Sequence, residues 1–340
     1  NLGLTAEAVD DKEAAVDYYL RARDAAKPSS RIKQKSAQKI KKLRPGMNRA
    51  EARQWYGLLS IAAGYDDNAV LAPDDVIEQT GGQEDVFTDL YAAGSTYISG
   101  DFDAGIRIDA GGYARFYADQ TEYDYATAFA DISRKQQYDF WHLSAGFGGD
   151  VDFVENEHYA ITPRLKFALM RDFAPFRLRL DNELGRISAV KEYDYLSGFQ
   201  NRSTITITRR IPDGSLSTGY AFEYNDREDL ERENEFFSYS PLRHEFRTKF
   251  AYRPLPGWKI KLRAEYRKSN YPDANVQSDN GETVRKKRED DRLFLSLRSG
   301  YALTDSLELF GKFCRTDNQS NFRDYEYTSN QFMIGAEKTF

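Results

Sequence analysis

The chain has very little with which to do redox or metal chemistry: one cysteine, Cys314, three methionines and three histidines among 340 residues. A lone cysteine excludes an intrachain disulfide and a cysteine-built zinc site, and the histidines show no paired-ligand spacing, so no metal is expected. Long apolar runs are missing too. Mean hydropathy is −0.71, and no stretch approaches the roughly 18 apolar residues of a membrane-spanning helix. Positive charge is not in excess. A net charge of −6 and a pI near 5.4 give no case for nucleic acid. No Ser-His-Asp arrangement has local support and no glycine-rich phosphate loop precedes a helix, so neither a cofactor nor catalysis is expected. The first residue, Asn1, is not an initiator methionine and no secretory leader follows it. A trimmed chain is therefore expected, with its targeting segment and a larger N-terminal part missing.

Aromatic residues are what the chain has in quantity, with 23 Tyr and 22 Phe. Strands that cross a bilayer need apolar residues only at alternate positions, plus aromatic girdles at both interfaces, so a transmembrane barrel looks hydrophilic on average. Residues 331–340 show that alternation. Phe332, Ile334, Ala336 and the terminal Phe340 share one parity, while Gln331, Gly335, Glu337 and Thr339 share the other, which predicts a strand with one apolar face. A last strand ending on Phe340 resembles those of bacterial outer-membrane β-barrels, whose assembly machinery reads such a terminus.

The first 46 residues read differently. Leu2, Gly3, Ala6, Ala15, Tyr19 and Ala22, with Pro28 beyond, resemble a tetratricopeptide repeat, in which small residues let two helices pack closely around an aromatic. One such repeat cannot bury both its faces, so it predicts the end of a longer array; a plain helical hairpin is the alternative. Arg31, Lys33, Lys35, Lys39, Lys41, Lys42 and Arg44 follow, with Ile32, Ile40 and Leu43 on one side. They suit either anionic lipid or passenger, or the solvated face of a capping helix. Arg44-Pro45-Gly46 marks the domain boundary, giving a periplasmic helical segment over 1–46 and a barrel over 47–340.

From about Arg53 the apolar period is two. About fourteen strands are expected, near residues 52–66, 86–99, 103–118, 123–135, 138–152, 159–171, 175–188, 199–211, 215–226, 242–253, 257–269, 290–303, 306–316 and 325–340, an even number as in bacterial barrels. Short turns are predicted at 99–101, 134–137, 172–175, 212–214, 254–257 and 304–305, and long polar loops at 66–85, 191–198, 226–239 and 269–291. Short periplasmic turns alternating with long external loops is the asymmetry of outer-membrane barrels. A soluble sandwich has shorter strands, and a lipocalin-like barrel puts its apolar face inside.

Parity then sorts the side chains. Trp258, Ile260, Leu262, Ala264 and Tyr266 would face lipid, leaving Lys259, Lys261, Arg263, Glu265 and Arg267 inside. An arginine or lysine at the bilayer midplane costs about 2–4 kcal/mol, so the register is strongly specified. The predicted lumen-lining transport residues are Arg107, Arg115, Arg164, Lys166, Arg177, Arg179, Arg210, Arg247, Lys249, Lys259, Lys261, Arg263 and Arg298, against Asp109, Asp150, Asp181, Glu183, Glu223, Glu245 and Glu265. Such a lumen attracts anionic solutes or carboxylate-rich polymer; alternatively the charges simply pair across strands and fill the barrel. Gly146, Gly148 and Gly149 are expected to leave lumen space or permit a bend. An outer-membrane phospholipase or protease is the enzymatic alternative.

The stretch IAAGYDDNAVLAP, residues 61–73, resembles the opening barrel strand of the surface lipoprotein assembly modulator (Slam) family. That resemblance implies a periplasmic tetratricopeptide domain ahead of a fourteen-stranded barrel that exports client lipoproteins or related proteins to the cell surface. Implied partners are outer-membrane lipid, the barrel assembly machinery acting on Phe340, and a client protein; the barrel would be a monomer. An outer-membrane polysaccharide exporter with periplasmic tetratricopeptide repeats is the alternative, its passenger an exopolysaccharide, although such barrels have about sixteen strands. A plain diffusion porin is the third class.

Overall fold

The computed structural model describes residues 55–73, 83–100, 104–232, 235–279 and 282–340, with isolated positions 18, 19, 22, 35, 36 and 39. The chain divides into two units, residues 1–54 and 55–340. In the first unit the isolated residues Tyr18, Tyr19, Ala22, Lys35, Ser36 and Lys39 are helical. The expected tetratricopeptide packing, the rest of the basic segment and the boundary at Arg44-Pro45-Gly46 lie outside the described residues.

In the second unit the period-two pattern becomes β1 (Trp55–Asp66), β2 (Asp85–Gly100), β3 (Ala104–Tyr117), β4 (Tyr125–Tyr138), β5 (Trp141–Val154), β6 (Glu157–Phe173), β7 (Phe176–Ala189), β8 (Gly198–Ile211), β9 (Gly214–Arg227), β10 (Leu230–Arg232), β11 (Glu235–Phe237), β12 (Leu242–Tyr252), β13 (Trp258–Asp279), β14 (Glu282–Ala302), β15 (Leu307–Ser320) and β16 (Tyr327–Thr339). Sequential neighbours pair antiparallel, β12 taking its place beside β9, while β1–β16 and β13–β14 pairings complete the ring. Fourteen of the sixteen described strands thus form a closed mainly-β barrel; β10 and β11 are a short hairpin in a loop, touching β13 at Phe236 and Val276. Closure leaves no unpaired edge, which is the condition for β-structure in lipid.

Several expectations are corrected. Residues 269–279 and 282–291 are strand and not loop. β13 and β14 run through them as one hairpin, paired out to Asp279 and Glu282 with a register shift between Asn270 and Ala274. Polar alternation such as Thr283, Arg285 and Lys287 looks loop-like because neither face of the extension meets lipid. Residues 134–137 are not a turn but the end of β4. The chain reverses at Asp139-Phe140, with Asp139 at φ 51°. Arg134 and Gln136 face outward there, where headgroups begin, so polarity marked the interface and not the turn. Residues 191–196 are a 3₁₀ helix, Lys191–Leu196, and another 3₁₀ turn at Thr121–Tyr123 delays the fourth strand.

The connections at one end are short: residues 139–140, 174–175, 212–213, 253–257 and 303–306. At the other end lie the connection after Asp66, the 3₁₀ helices, the β10–β11 hairpin and the β13–β14 extension; the tight turn at Glu155-Asn156 is the exception. Outward positions carry Ile61, Phe147, Phe167, Phe246, Leu295 and Ile334, all more than a third exposed. Ile334, 73% exposed near the middle of β16, gives a direct test. Ile334→Arg is expected to cost about 2–4 kcal/mol of folding into lipid vesicles, read as a lower urea midpoint, while folding in detergent micelles changes less.

Candidate functional site in the barrel lumen

The pairing register defines the inner face without ambiguity, since partners across a ladder share a side. Glu223 pairs with Arg243, and Glu245 with Arg267 and then Arg292. Arg247 pairs with Glu265 and then Phe294; Lys249 pairs with Arg263 and then Ser296. All thirteen sequence-predicted lumen residues occupy this inner register: Arg107 and Arg115 on β3, Arg164 and Lys166 on β6, Arg177 and Arg179 on β7, Arg210 on β8, Arg247 and Lys249 on β12, Lys259, Lys261 and Arg263 on β13, and Arg298 on β14.

Most of these arginines are locked to neighbours. Arg115 forks onto Asp89 at 2.7 and 2.9 Å and lies 3.8 Å over the Phe87 ring. Arg164 pairs with Asp150, and Lys166 reaches Asp131 at 2.8 Å. A side chain at Gly148 would collide with the Asp131 carboxylate, so this glycine makes room for that pair; Gly146 shares its inner parity, whereas Gly149 faces outward. Arg107 pairs with Asp109, Arg177 with Asp172, and Arg179 with Asp181.

The longest network runs around β8, β9, β12 and β13. Arg202 donates to Glu223 at 2.7 Å and, across the intervening strand, to Glu245 at 2.9 Å. Glu223 also accepts from Arg243 at 2.7 Å and Asn225 at 2.9 Å. Arg247 joins Glu245 to Glu265, which Arg263 completes. Alternating charge makes each carboxylate bridge two guanidiniums, a well-satisfied arrangement for charges partly removed from water.

Below this network the balance tips. Lys261, Arg298 and Lys312 lie directly opposite one another on β13, β14 and β15, and Lys249 and Arg263 sit in the adjacent row. Arg298 Nη2 is 2.9 Å from Glu308 and 3.2 Å from Glu337 without hydrogen-bond alignment. Among the described residues no carboxylate lies within ion-pairing distance of Lys249, Lys259, Lys261 or Lys312. Like charges directly opposite in a ladder are destabilising, and with Arg298 ion-paired it is Lys249, Lys261 and Lys312 that leave this wall positive. Lys249, Lys261, Arg263, Arg298 and Lys312 line a lumenal cavity of about 630 Å³, whose far wall brings Ser60, Asp89, Tyr91 and Tyr113 from β1–β3.

Sequence reasoning missed Arg202, Arg243, Lys312, Asp89 and Glu308; Glu337 it had placed on the polar face of the last strand without a partner. Their parity was readable once strands were aligned, but which cation lacks an acid depends on neighbours 20 or more residues away. It also missed the inner apolar patch of Phe87, Tyr117, Cys314 and Met333, against which Phe294 and Phe310 pack.

Outside, the belt is bounded by interfacial aromatics. Trp55 stacks on Phe340 at 6.3 Å, Trp258 meets Tyr301 at 5.3 Å, and Arg171 lies 5.3 Å over Trp141. All three tryptophans stand at the short-turn end, at the level where amphipathic rings meet headgroups. An apolar belt encircling a polar, ion-paired lumen cannot be stable in water. The chain is a transmembrane β-barrel of the outer-membrane type.

No protein-family model and no curated protein matches the chain. Among solved structures, it is similar to in-vitro folded OmpT, an outer membrane protein of Vibrio cholerae, with a TM-score of 0.46 and 10% identity over 84% of this chain and 96% of that one. An anion-selective porin from Comamonas acidovorans gives 0.47 and 10% over 84% and 98%. OccAB4 of Acinetobacter baumannii gives 0.42 and 8% over 86% and 100%. None assigns a substrate to this barrel.

Proposed function

We propose that this chain is a channel of the bacterial outer membrane, without enzymatic activity, whose lumen favours anionic solutes. The observation that carries the reading is the set Lys249, Lys261 and Lys312, which have no carboxylate partner among the described residues and face one cavity together with the ion-paired Arg263 and Arg298. A low-dielectric wall focuses such a field into the passage, concentrating anions and excluding cations. By the asymmetry of its connections the short-turn end is periplasmic, which would put the N-terminal helical segment on that side. Phe340 stacks on Trp55 where the first and last strands meet, and a single copy closes the barrel.

Two finer passengers suit the same frame. An anionic polysaccharide would use the same lysines. A client protein, which the family resemblance implies, would be gathered by the helical unit. Lateral exit between first and last strands would have to break the pairing of residues 58–66 with 331–339, so passage through the lumen is the route favoured.

The test is the reversal potential of the full chain in a planar bilayer across a KCl gradient. A potential of the sign set by chloride is expected. A cation-directed potential, or a barrel that never conducts, overturns the channel reading; in the latter case, trapping of a surface lipoprotein in the periplasm after deletion of this chain would support protein export instead.

A further inference from the structure

The loop-side mouth carries an arc of tyrosines that the lumenal charge does not explain. Tyr159 near the start of β6 meets Tyr193 of the 3₁₀ helix at 4.8 Å and 66°; Tyr193 and Tyr195 are 6.4 Å apart; Tyr195 meets Tyr239 at 4.8 Å. Beyond them Arg288 of the β13–β14 extension lies 3.2 Å over Tyr325 and 4.6 Å over Tyr271. The register slips beside Tyr159, Asp152 pairing with Ala160 and Phe153 with His158, so Tyr159 has no partner on β5 and is free of the regular alternation.

Three properties point to a ligand. The rings of Tyr159, Tyr193, Tyr195, Tyr239 and Tyr325 are neither buried nor fully exposed. Among the described residues none of these five hydroxyls has a hydrogen-bond partner, whereas Tyr113, Tyr125 and Tyr220 each engage a carboxylate or imidazole. Burial pushes the Tyr239 hydroxyl up to about 12, so it remains a neutral donor through the physiological range. Lower in the same quarter of the wall is a polar cavity of about 330 Å³ lined by Tyr125, Asp152, Thr162, Glu183, Gln200 and Arg202, within the roughly 300–1,000 Å³ of small-molecule sites.

Aromatic faces with free hydroxyls, set above a cavity of mixed carboxylate, amide and guanidinium groups, match one ligand class. Pyranose rings present apolar C–H faces to stack and equatorial hydroxyls that need donors and acceptors at once. A lipid would want a continuous apolar slot, and a small anion would want unpaired cations. We propose that the mouth is an oligosaccharide-binding funnel, in which Tyr159, Tyr193, Tyr195 and Tyr239 stack successive sugar rings and the Asp152–Gln200 cavity holds the leading one. This site is separate from the lysine wall and does not depend on the channel reading.

The experiment is calorimetric titration of the detergent-folded full chain with maltohexaose as neutral probe and a hexagalacturonate as acidic probe, which needs no conductance. Saturable binding of either sugar is expected, and Tyr195→Ala with Tyr239→Ala should weaken it about tenfold, equivalent to ~1.4 kcal/mol. Tyr195→Phe with Tyr239→Phe keeps the stacking faces and should lose less. Tyr224→Ala, on the outer wall, should change nothing. Heat-modifiable gel migration confirms that each variant is folded. Binding of neither sugar to the folded parent, or equal loss in Tyr224→Ala, overturns the proposal.

Discussion

Asp66→Ala is expected to lower the stability of the closed barrel by about 3–5 kcal/mol, the usual cost of deleting one partner of a buried charge network. Asp66 is 1% exposed at the external end of β1. Its carboxylate accepts from Ser329 Oγ at 2.9 Å, Gln331 Nε2 at 2.7 Å, the Asn68 backbone N–H at 3.1 Å and Tyr117 at 3.3 Å, with Arg115 at 3.9 Å. Two of these partners belong to β16, so the residue clasps the first strand to the last. Asp67 repeats the grip on Asn330, at 2.7 Å to its backbone N–H and 2.8 Å to its amide, and Asn68 donates to the Thr328 carbonyl at 3.0 Å. Alanine at position 66 leaves several buried donors without an acceptor, each costing about 1–3 kcal/mol where water cannot reach. The readout is the urea midpoint for folding in vesicles, together with the temperature at which heat-modifiable migration is lost. Asp67→Ala, whose partners are less buried, should fall by about half as much. An unchanged midpoint in Asp66→Ala would remove the clasp from the account.

The second large effect is on selectivity. The double reversal Lys261→Glu with Lys312→Glu should change the anion-to-cation permeability ratio by at least about tenfold and bring it to the cation side. A unit charge acts on a passing monovalent ion by about 1 kcal/mol at 4 Å even in bulk water. Each lysine-to-glutamate change is worth two such units. The Debye length of about 8 Å at physiological salt leaves that interaction largely intact across a narrow lumen. Arg298 then gains two acidic neighbours, so the fold should tolerate the change. Reversal potential measured at low and high salt gives the answer, with the shift shrinking as salt rises. Unaltered selectivity would mean that the cavity beside β13–β15 is not on the ion path.

Much of this barrel was readable before any coordinates. Period-two alternation from residue 53 onward, strand number and the inward parity of Arg107 through Arg298 all follow from a local rule. Each residue's side is set by its neighbours at i±1, and lipid penalises a wrong side by kilocalories. Boundaries were less legible at 134–137 and 269–291. Polar residues there meant headgroup level or strands beyond the membrane, and alternation cannot distinguish either from a loop.

The stretch 61–73 shows the limit most plainly. As a string of letters it served only as a point of resemblance. In the fold, Tyr65-Asp66-Asp67-Asn68 is the closure clasp, because β16, more than 260 residues later, returns beside it. The same holds for the lumen. Composition showed that arginines and carboxylates share an inner face, while only the ladder decided that Arg202, Arg243 and Arg247 would be neutralised by Glu223, Glu245 and Glu265 and that Lys249, Lys261 and Lys312 would not. Which face a side chain takes is a property of its own strand; which charge it meets is a property of strands that closure brings together. The tyrosine mouth is the extreme case, assembled from four loops and strand ends that no local period connects.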